Sequence, residues 1–340
     1  MQKIVLFFYD SGPSDNITNI IQKYKDKAKY YFFIDKNSPA YKIAKNKFLD
    51  NILIDISTIS DIKRKIQSIN PDFVYVGTSW QNKIHLDFIR YSKELEIPSV
   101  AAMDHWVNYR ERFDYPQKNW KNNKPDFITV NDKYGYKIAK KLGFKNIIKL
   151  KFYTLLNNIR TFEKQTIKEK NEILFISEPT RKVAKTYFDD ENHWGFDEFS
   201  LIEDIINNIQ HFKTKNINIR LHPSDEVGKY DYLHNKYKNI NINIEDPYES
   251  PLFDSVASSK VIIGVDGFVL FVAKVLGKYS ISYIPNNRRK CVVPIFSSNH
   301  TKSINKDILL SNFKKKDSIK FTKKSTEQMK KLLNKILFMQ

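Results

Sequence analysis

His222 sits between a strand-like run and a proline, in Arg220-Leu221-His222-Pro223 after Ile217–Leu221. Pro223 stops the strand and leaves His222 at the carboxyl end of a sheet, where open α/β sheets bind ligands. A histidine there can donate to a phosphate or put positive charge on a leaving group. The competing reading is a histidine that only closes a strand–loop junction. A second constellation follows the apolar run Ser99–Met103: Asp104-His105-Trp106, then Tyr109, Arg110, Glu111 and Arg112. Asp104 or His105 can act as a general base if it reaches an acceptor hydroxyl. The two arginines can hold an anion, or Glu111 can simply pair with one of them.

Three further loops follow strand-like runs. In Val261–Lys278 a strand ends at Gly264, Asp266-Gly267 forms a short polar loop, and an apolar helix begins at once. The first amides of that helix point toward an anion, and Asp266 suits its N-cap. Tyr9-Asp10-Ser11-Gly12-Pro13-Ser14 makes a turn after the first strand, with Ser14 or Asp15 as the expected helix cap. Ser177-Glu178-Pro179-Thr180-Arg181-Lys182 is the matching loop in the second half, offering hydroxyls and positive charge to a nucleotide. The chain has no G-x-G-x-x-G, Walker loop, H-E-x-x-H, Cys/His zinc spacing, Asp-x-Asp or G-x-S-x-G. No metal site and no cofactor are therefore expected.

The elements that must position these loops are legible as apolar runs. Residues 3–9, 30–34, 51–54, 73–76, 99–103 and 126–131 read as strands buried on both faces, separated by amphipathic helices such as 61–69 and 83–95. The pattern restarts after a polar stretch, with strands at 172–177, 217–221, 240–242, 260–264 and 280–284 and helices at 198–209 and 268–277. This predicts two doubly wound α/β domains, residues 1–156 and 172–324, joined by a linker over 157–171. An amphipathic helix is expected over 325–340.

The 340 residues carry 57 Lys and Arg against 38 Asp and Glu, a net charge of +19. A field of that sign attracts nucleotides, anionic lipid or nucleic acid without choosing among them. One cysteine, Cys291, excludes an intrachain disulfide and points to a reducing compartment. The first residues read as a strand rather than a signal peptide, and no apolar run approaches eighteen residues. A cytoplasmic location is expected. Residues 301–340 contribute eight of the net positive charges. Lys314–Lys324 are either a solvated surface or a contact with the anionic inner face of the membrane.

Two α/β domains, a His-Pro after a second-domain strand, a strand–polar loop–helix at Gly264–Gly277 and the run Asp126–Phe144 together resemble the GT-B glycosyltransferases. The nearest groups are the bacterial sialyltransferase-like and capsule-type enzymes with a His-Pro motif. The resemblance implies an interdomain cleft and a C-terminal helix that crosses back onto the first domain. It assigns donor phosphate contact to His222 and the base to Asp104. Donor contacts would fall on Ser177, Glu178, Thr180, Arg220, Pro223, Asp266 and Gly267. Acceptor contacts would fall on Asp10, Ser11, His105, Tyr109 and Arg112. The family's phosphate-binding serine pair is replaced by Asp266-Gly267, which suits a ribose hydroxyl better. Val272 stands where retaining enzymes carry an acid, which favours inversion.

The resulting expectation is an inverting, metal-independent glycosyltransferase. Its donor is a nucleotide sugar, with a CMP-linked nonulosonic acid as one option, and its acceptor is a surface glycan or a lipid-linked glycan. A nucleotide-sugar 2-epimerase or hydrolase of the same fold, turning over donor without acceptor, is the alternative enzyme. A non-catalytic basic protein that binds nucleic acid is a third reading; the charge supports it and no nucleic-acid motif does, so nucleic acid is not expected as a partner.

Overall fold

The structure is a computed structural model. It describes residues 1–23, 25–47, 52–79, 82–150, 155, 159, 167–294 and 296. The chain divides into two compact units: Met1–Asn157 lies in the first, and the second begins at Asn158.

Unit 1 is a seven-stranded parallel sheet in the order β3-β2-β1-β4-β5-β6-β7. Its strands are β1 Gln2–Phe7, β2 Ala28–Ile34, β3 Leu53–Asp55, β4 Phe73–Gly77, β5 Ser99–Met103, β6 Phe127–Val130 and β7 Ile147–Lys149. The helices are α1 Ser11–Lys23, α2 Pro39–Ala44, α3 Ile62–Ile69, α4 Ile84–Glu94 and α5 Lys133–Lys141. β1, β4 and β5 are apolar at nearly every position because helices cover both faces of the sheet. One face packs Leu6, Phe8, Phe32 and Tyr75; the other packs Phe7, Phe33, Val76, Phe88 and Met103. β7 has only three residues and escapes a pattern reading. α1 starts at Ser11, with Ser14 N–H bonded to the Asp10 carbonyl at 3.3 Å. Ser14 and Asp15 therefore lie inside the helix, and neither is the expected cap.

Unit 2 is a five-stranded parallel sheet in the order β10-β9-β8-β11-β12. Its strands are β8 Lys170–Ile176, β9 Asn216–Arg220, β10 Asn241–Glu245, β11 Ser259–Gly264 and β12 Tyr279–Ser282. The helices are α6 Thr180–Phe188, α7 Glu198–Asn207, α8 Tyr232–Lys236, α9 Leu252–Ser258 and α10 Phe268–Val275. β8 begins at Lys170, inside the stretch expected to be linker. Most of that stretch, the Lys314–Lys324 run and the helix expected over 325–340 lie outside the described residues.

Candidate functional site

Both sheets change winding direction once. In unit 1 the change falls between β1 and β4, and in unit 2 between β8 and β11. Loops part there at the carboxyl ends of the strands and leave a crevice that backbone and side chains can line.

At the unit 1 edge, Gly77 ends β4 under the Phe8 ring; a Cβ on it would lie 2.4 Å from that ring, so only glycine fits. The chain turns there into Thr78 and Ser79. Asp104, after β5, pairs its Oδ1 with one Arg112 nitrogen at 2.7 Å. That same nitrogen donates to the Thr78 carbonyl at 2.9 Å and to its hydroxyl at 2.8 Å. The Arg112 side chain is only 5% exposed, and its Nε has no hydrogen-bond partner among the described residues. Buried His85 holds the Arg112 carbonyl at 2.8 Å, and burial pushes its imidazole down to about 4. Asp10 precedes α1 beside this pair. Burial first, and then the Asp104 charge, push its carboxyl up to about 6; a Ser79 hydrogen bond and Arg112 act the other way.

Arg112 pairs with Asp104 rather than Glu111, whose carbonyl takes the Lys83 ammonium. Arg110 lies over the Tyr115 ring at 4.4 Å. Tyr109 was expected to meet an acceptor, yet it is 2% exposed and packs its ring edge on Phe144. Its hydroxyl lies against Gly135, where a Cβ would come within 2.9 Å. Tyr109 is thus a core residue. His105 is half-buried beside Trp106, whose indole donates to Asp132 at 2.8 Å. Ser11 is half-buried in the first turn of α1.

At the unit 2 edge, buried Ser177 is held between Asp225 at 2.6 Å and the Tyr230 hydroxyl at 2.7 Å. Asp225 also accepts from the His222 amide at 2.9 Å and from Lys229 at 2.8 Å. Lys229 continues to Glu198 at 2.8 Å. This buried network fixes the His222 loop to the end of β8 and uses up the Ser177 hydroxyl. The Ser224 amide donates to His222 Nδ1 at 3.1 Å, so in the neutral ring the proton sits on Nε2. Burial lowers the His222 pKa, opposed by Asp225 and assisted by Lys229 and Lys182. The Pro223 carbonyl accepts from the Tyr248 hydroxyl at 3.2 Å.

Three expected donor contacts are spent on the protein itself. Arg220 is buried and ion-paired with Glu245, and it also donates to the carbonyls of Pro247 at 3.1 Å and Ser250 at 2.9 Å. It braces the β9–β10 side of the sheet. Buried Thr180 opens α6, and its amide takes the Glu178 carbonyl at 2.7 Å. Asp266 does not cap α10. Gly267 holds that position, and the Asp266 carboxylate pairs with Arg289 through contacts of 2.7 and 3.1 Å. Arg289 in turn lies over the Trp194 ring at 4.5 Å.

The amides expected to face a phosphate are occupied. Glu178 Oε1 accepts from Val265 at 3.2 Å, Asp266 at 2.9 Å and Gly267 at 2.8 Å. A Cβ at Gly267 would stand 3.0 Å from that oxygen, so the close approach depends on glycine. Burial, and then the neighbouring Asp266, push Glu178 up to about 8. The functional signal the sequence hides is in these partners: Asp225, Lys229, Glu198 and Arg289. Only Asp225 had a local cue, as an acid three residues after His222.

The chemistry on offer is therefore a carboxylate pair in unit 1 and an imidazole N–H with nearby lysine in unit 2. No group of three or more His, Cys, Asp or Glu that could hold a metal occurs among the described residues, and no helix among them is long and apolar enough to cross a membrane.

No protein-family model matches the chain, and no curated protein matches it. Solved structures do. UDP-GlcNAc 2-epimerase from Neisseria meningitidis, bound to UDP-GlcNAc, is similar over 98% of this chain and 100% of its own, with a TM-score of 0.65 and 12% identity. The UDP-GlcNAc 2-epimerase of Methanocaldococcus jannaschii gives 0.64 and 14% over the same shares. The glycosyltransferase SnogD from Streptomyces nogalater gives 0.54 and 7%, over 100% of this chain and 96% of its own. At these identities the likeness shows the fold, and the fold is GT-B.

Proposed function

We propose that the chain is a nucleotide-sugar enzyme that transfers a sugar to an acceptor hydroxyl with inversion and without a metal. Unit 2 binds the donor, and His222 Nε2–H stabilises negative charge on the departing phosphate. The unit 1 carboxylates take the acceptor proton. The observation that carries this reading is the match of chemistry to topology. Carboxylates stand at the winding change of one sheet, and an imidazole of fixed tautomer stands at the carboxyl edge of the other. The acceptor is a surface or lipid-linked glycan, and an anionic membrane surface is a further partner through the basic tail.

A second reading is a nucleotide-sugar 2-epimerase or hydrolase. A buried carboxyl with a raised pKa beside a second, ion-paired carboxyl suits acid–base chemistry on the donor alone, and two of the similar structures are UDP-GlcNAc 2-epimerases. Thermal-shift measurements with CMP, UDP, GDP and CDP identify the base through ligand-linked stabilisation. Donor turnover with and without a glycan acceptor then separates the readings. Transfer needs the acceptor; epimerisation or hydrolysis does not. No stabilisation by any of the four nucleotides contradicts both.

A further inference from the structure

We propose that Asp10 is the unit 1 group that takes up the moving proton, and that Asp104, fixed by Arg112, is the positioning residue that sets its charge. The role in the reaction rests on the nucleotide-sugar reading; the pairing of the two acids does not.

The geometry separates the two carboxyl groups. Asp104 Oδ1 is bound to Arg112 at 2.7 Å, and that guanidinium is itself held on Thr78 in a nearly fully buried position. Asp104 is thereby fixed in place against the guanidinium. Its other oxygen faces Gly12, where a Cβ would lie 3.3 Å away. Gly12 is two residues past Asp10 in the first turn of α1, and the Asp104 and Arg112 charges both act on the Asp10 carboxyl. Asp10 has no ion pair among the described residues; Ser79 gives it a hydrogen bond.

The charged groups that face Asp10 are Asp104 and Arg112. Asp104 alone touches the guanidinium, so Asp10 feels the Asp104 charge without a direct counter-ion of its own. The N-terminus of α1 acts in the opposite sense and favours ionised Asp10. Burial and Asp104 outweigh it, and Asp10 reaches about 6. A base is most useful when its pKa lies near the working pH.

In the transfer, the acceptor oxygen bonds to the anomeric carbon. The bond from that carbon to the donor phosphate oxygen breaks, and its electron pair leaves on the phosphate. Asp10 keeps the hydroxyl proton.

The test is a carboxyl-carbon NMR titration of the full chain labelled at aspartate, with the Asp10 signal assigned by Asp10→Asn. The expected midpoint is near 6, and Asp104→Asn moves it down by about one unit or more through loss of the like charge. Ser79→Ala moves the same signal up, which supplies the assignment if Asp10→Asn does not fold. A midpoint near the ordinary value of about 4, or one indifferent to Asp104→Asn, overturns the proposal. In turnover, the acidic limb of kcat/KM should follow the Asp10 midpoint in wild type and in Asp104→Asn; a limb that ignores it overturns the catalytic role. Absence of turnover on every nucleotide sugar defeats the functional reading while the titration still decides the pair.

Discussion

Glu178 places one carboxylate oxygen 2.8 Å from the Gly267 amide, and the same oxygen accepts from Asp266 and Val265. The residues are 89 positions apart, and the contact closes the winding change of the unit 2 sheet with the protein's own acid. Under the proposed function, donor phosphate binding therefore falls to His222 rather than to these amides, which Glu178 already occupies.

Glu178→Ala should destabilise the chain by several kcal/mol, since each buried N–H left without a partner costs about 1–3 kcal/mol. Glu178→Gln keeps an acceptor oxygen and should be far milder. The sign of its pH dependence follows from the raised pKa. The folded state holds the proton up to about 8, while the unfolded chain loses it near 4, about the ordinary value. A stability penalty thus accumulates from about pH 4 and is complete above about 8. Urea melts across pH should show Glu178→Gln gaining on wild type as pH rises.

Asp10→Asn should stabilise the chain at pH 7.5 by about 3 kcal/mol, from a shift of about two units at about 1.4 kcal/mol each. Asp10 is held near 6 in the fold, so the gain grows from about pH 4 to 6 and disappears below pH 4. Chemical denaturation at pH 4 and 7.5 checks this, and equal effects at both contradict it.

Arg220→Met should cost about 3–5 kcal/mol, the usual price of leaving a buried partner charge alone. Its target is Glu245, with the Pro247 and Ser250 carbonyls beside it. Nucleotide affinity of the remaining folded protein should be unchanged. Lost affinity at normal stability would instead restore Arg220 as a donor contact.

His222→Ala should keep the fold and lower kcat about 10²–10³-fold, the usual effect of removing one preorganised donor to developing charge. Its ring bonds only to neighbouring Ser224 among the described residues. A circular-dichroism melt with steady-state rates measures both halves.

Strands such as Phe73–Gly77 were legible because continuous burial leaves an unbroken apolar run. The position of His222 at a strand end was legible for the same reason. Partner choice was not. Arg220 looks alike in sequence whether it meets a ligand or Glu245, and Tyr109 reads as a wall residue until Gly135 is seen against its hydroxyl. Asp10 and Asp104 come together only because β1 and β5 flank β4 in the sheet. Their separation into fixed charge and titrating group depends on Arg112, which sequence spacing equally allowed to pair with Glu111.

Under the proposed function, this chain cleaves a nucleotide sugar through His222 and a carboxylate base without a metal. Phosphorus NMR of the full chain with UDP-, CMP- and GDP-sugars, in EDTA and with a glycan acceptor, tests it directly. Free nucleotide is expected from at least one donor, at a rate unchanged by the chelator and nearly abolished in His222→Ala. Release that needs an added divalent cation, or that proceeds normally in a folded His222→Ala protein, would contradict it.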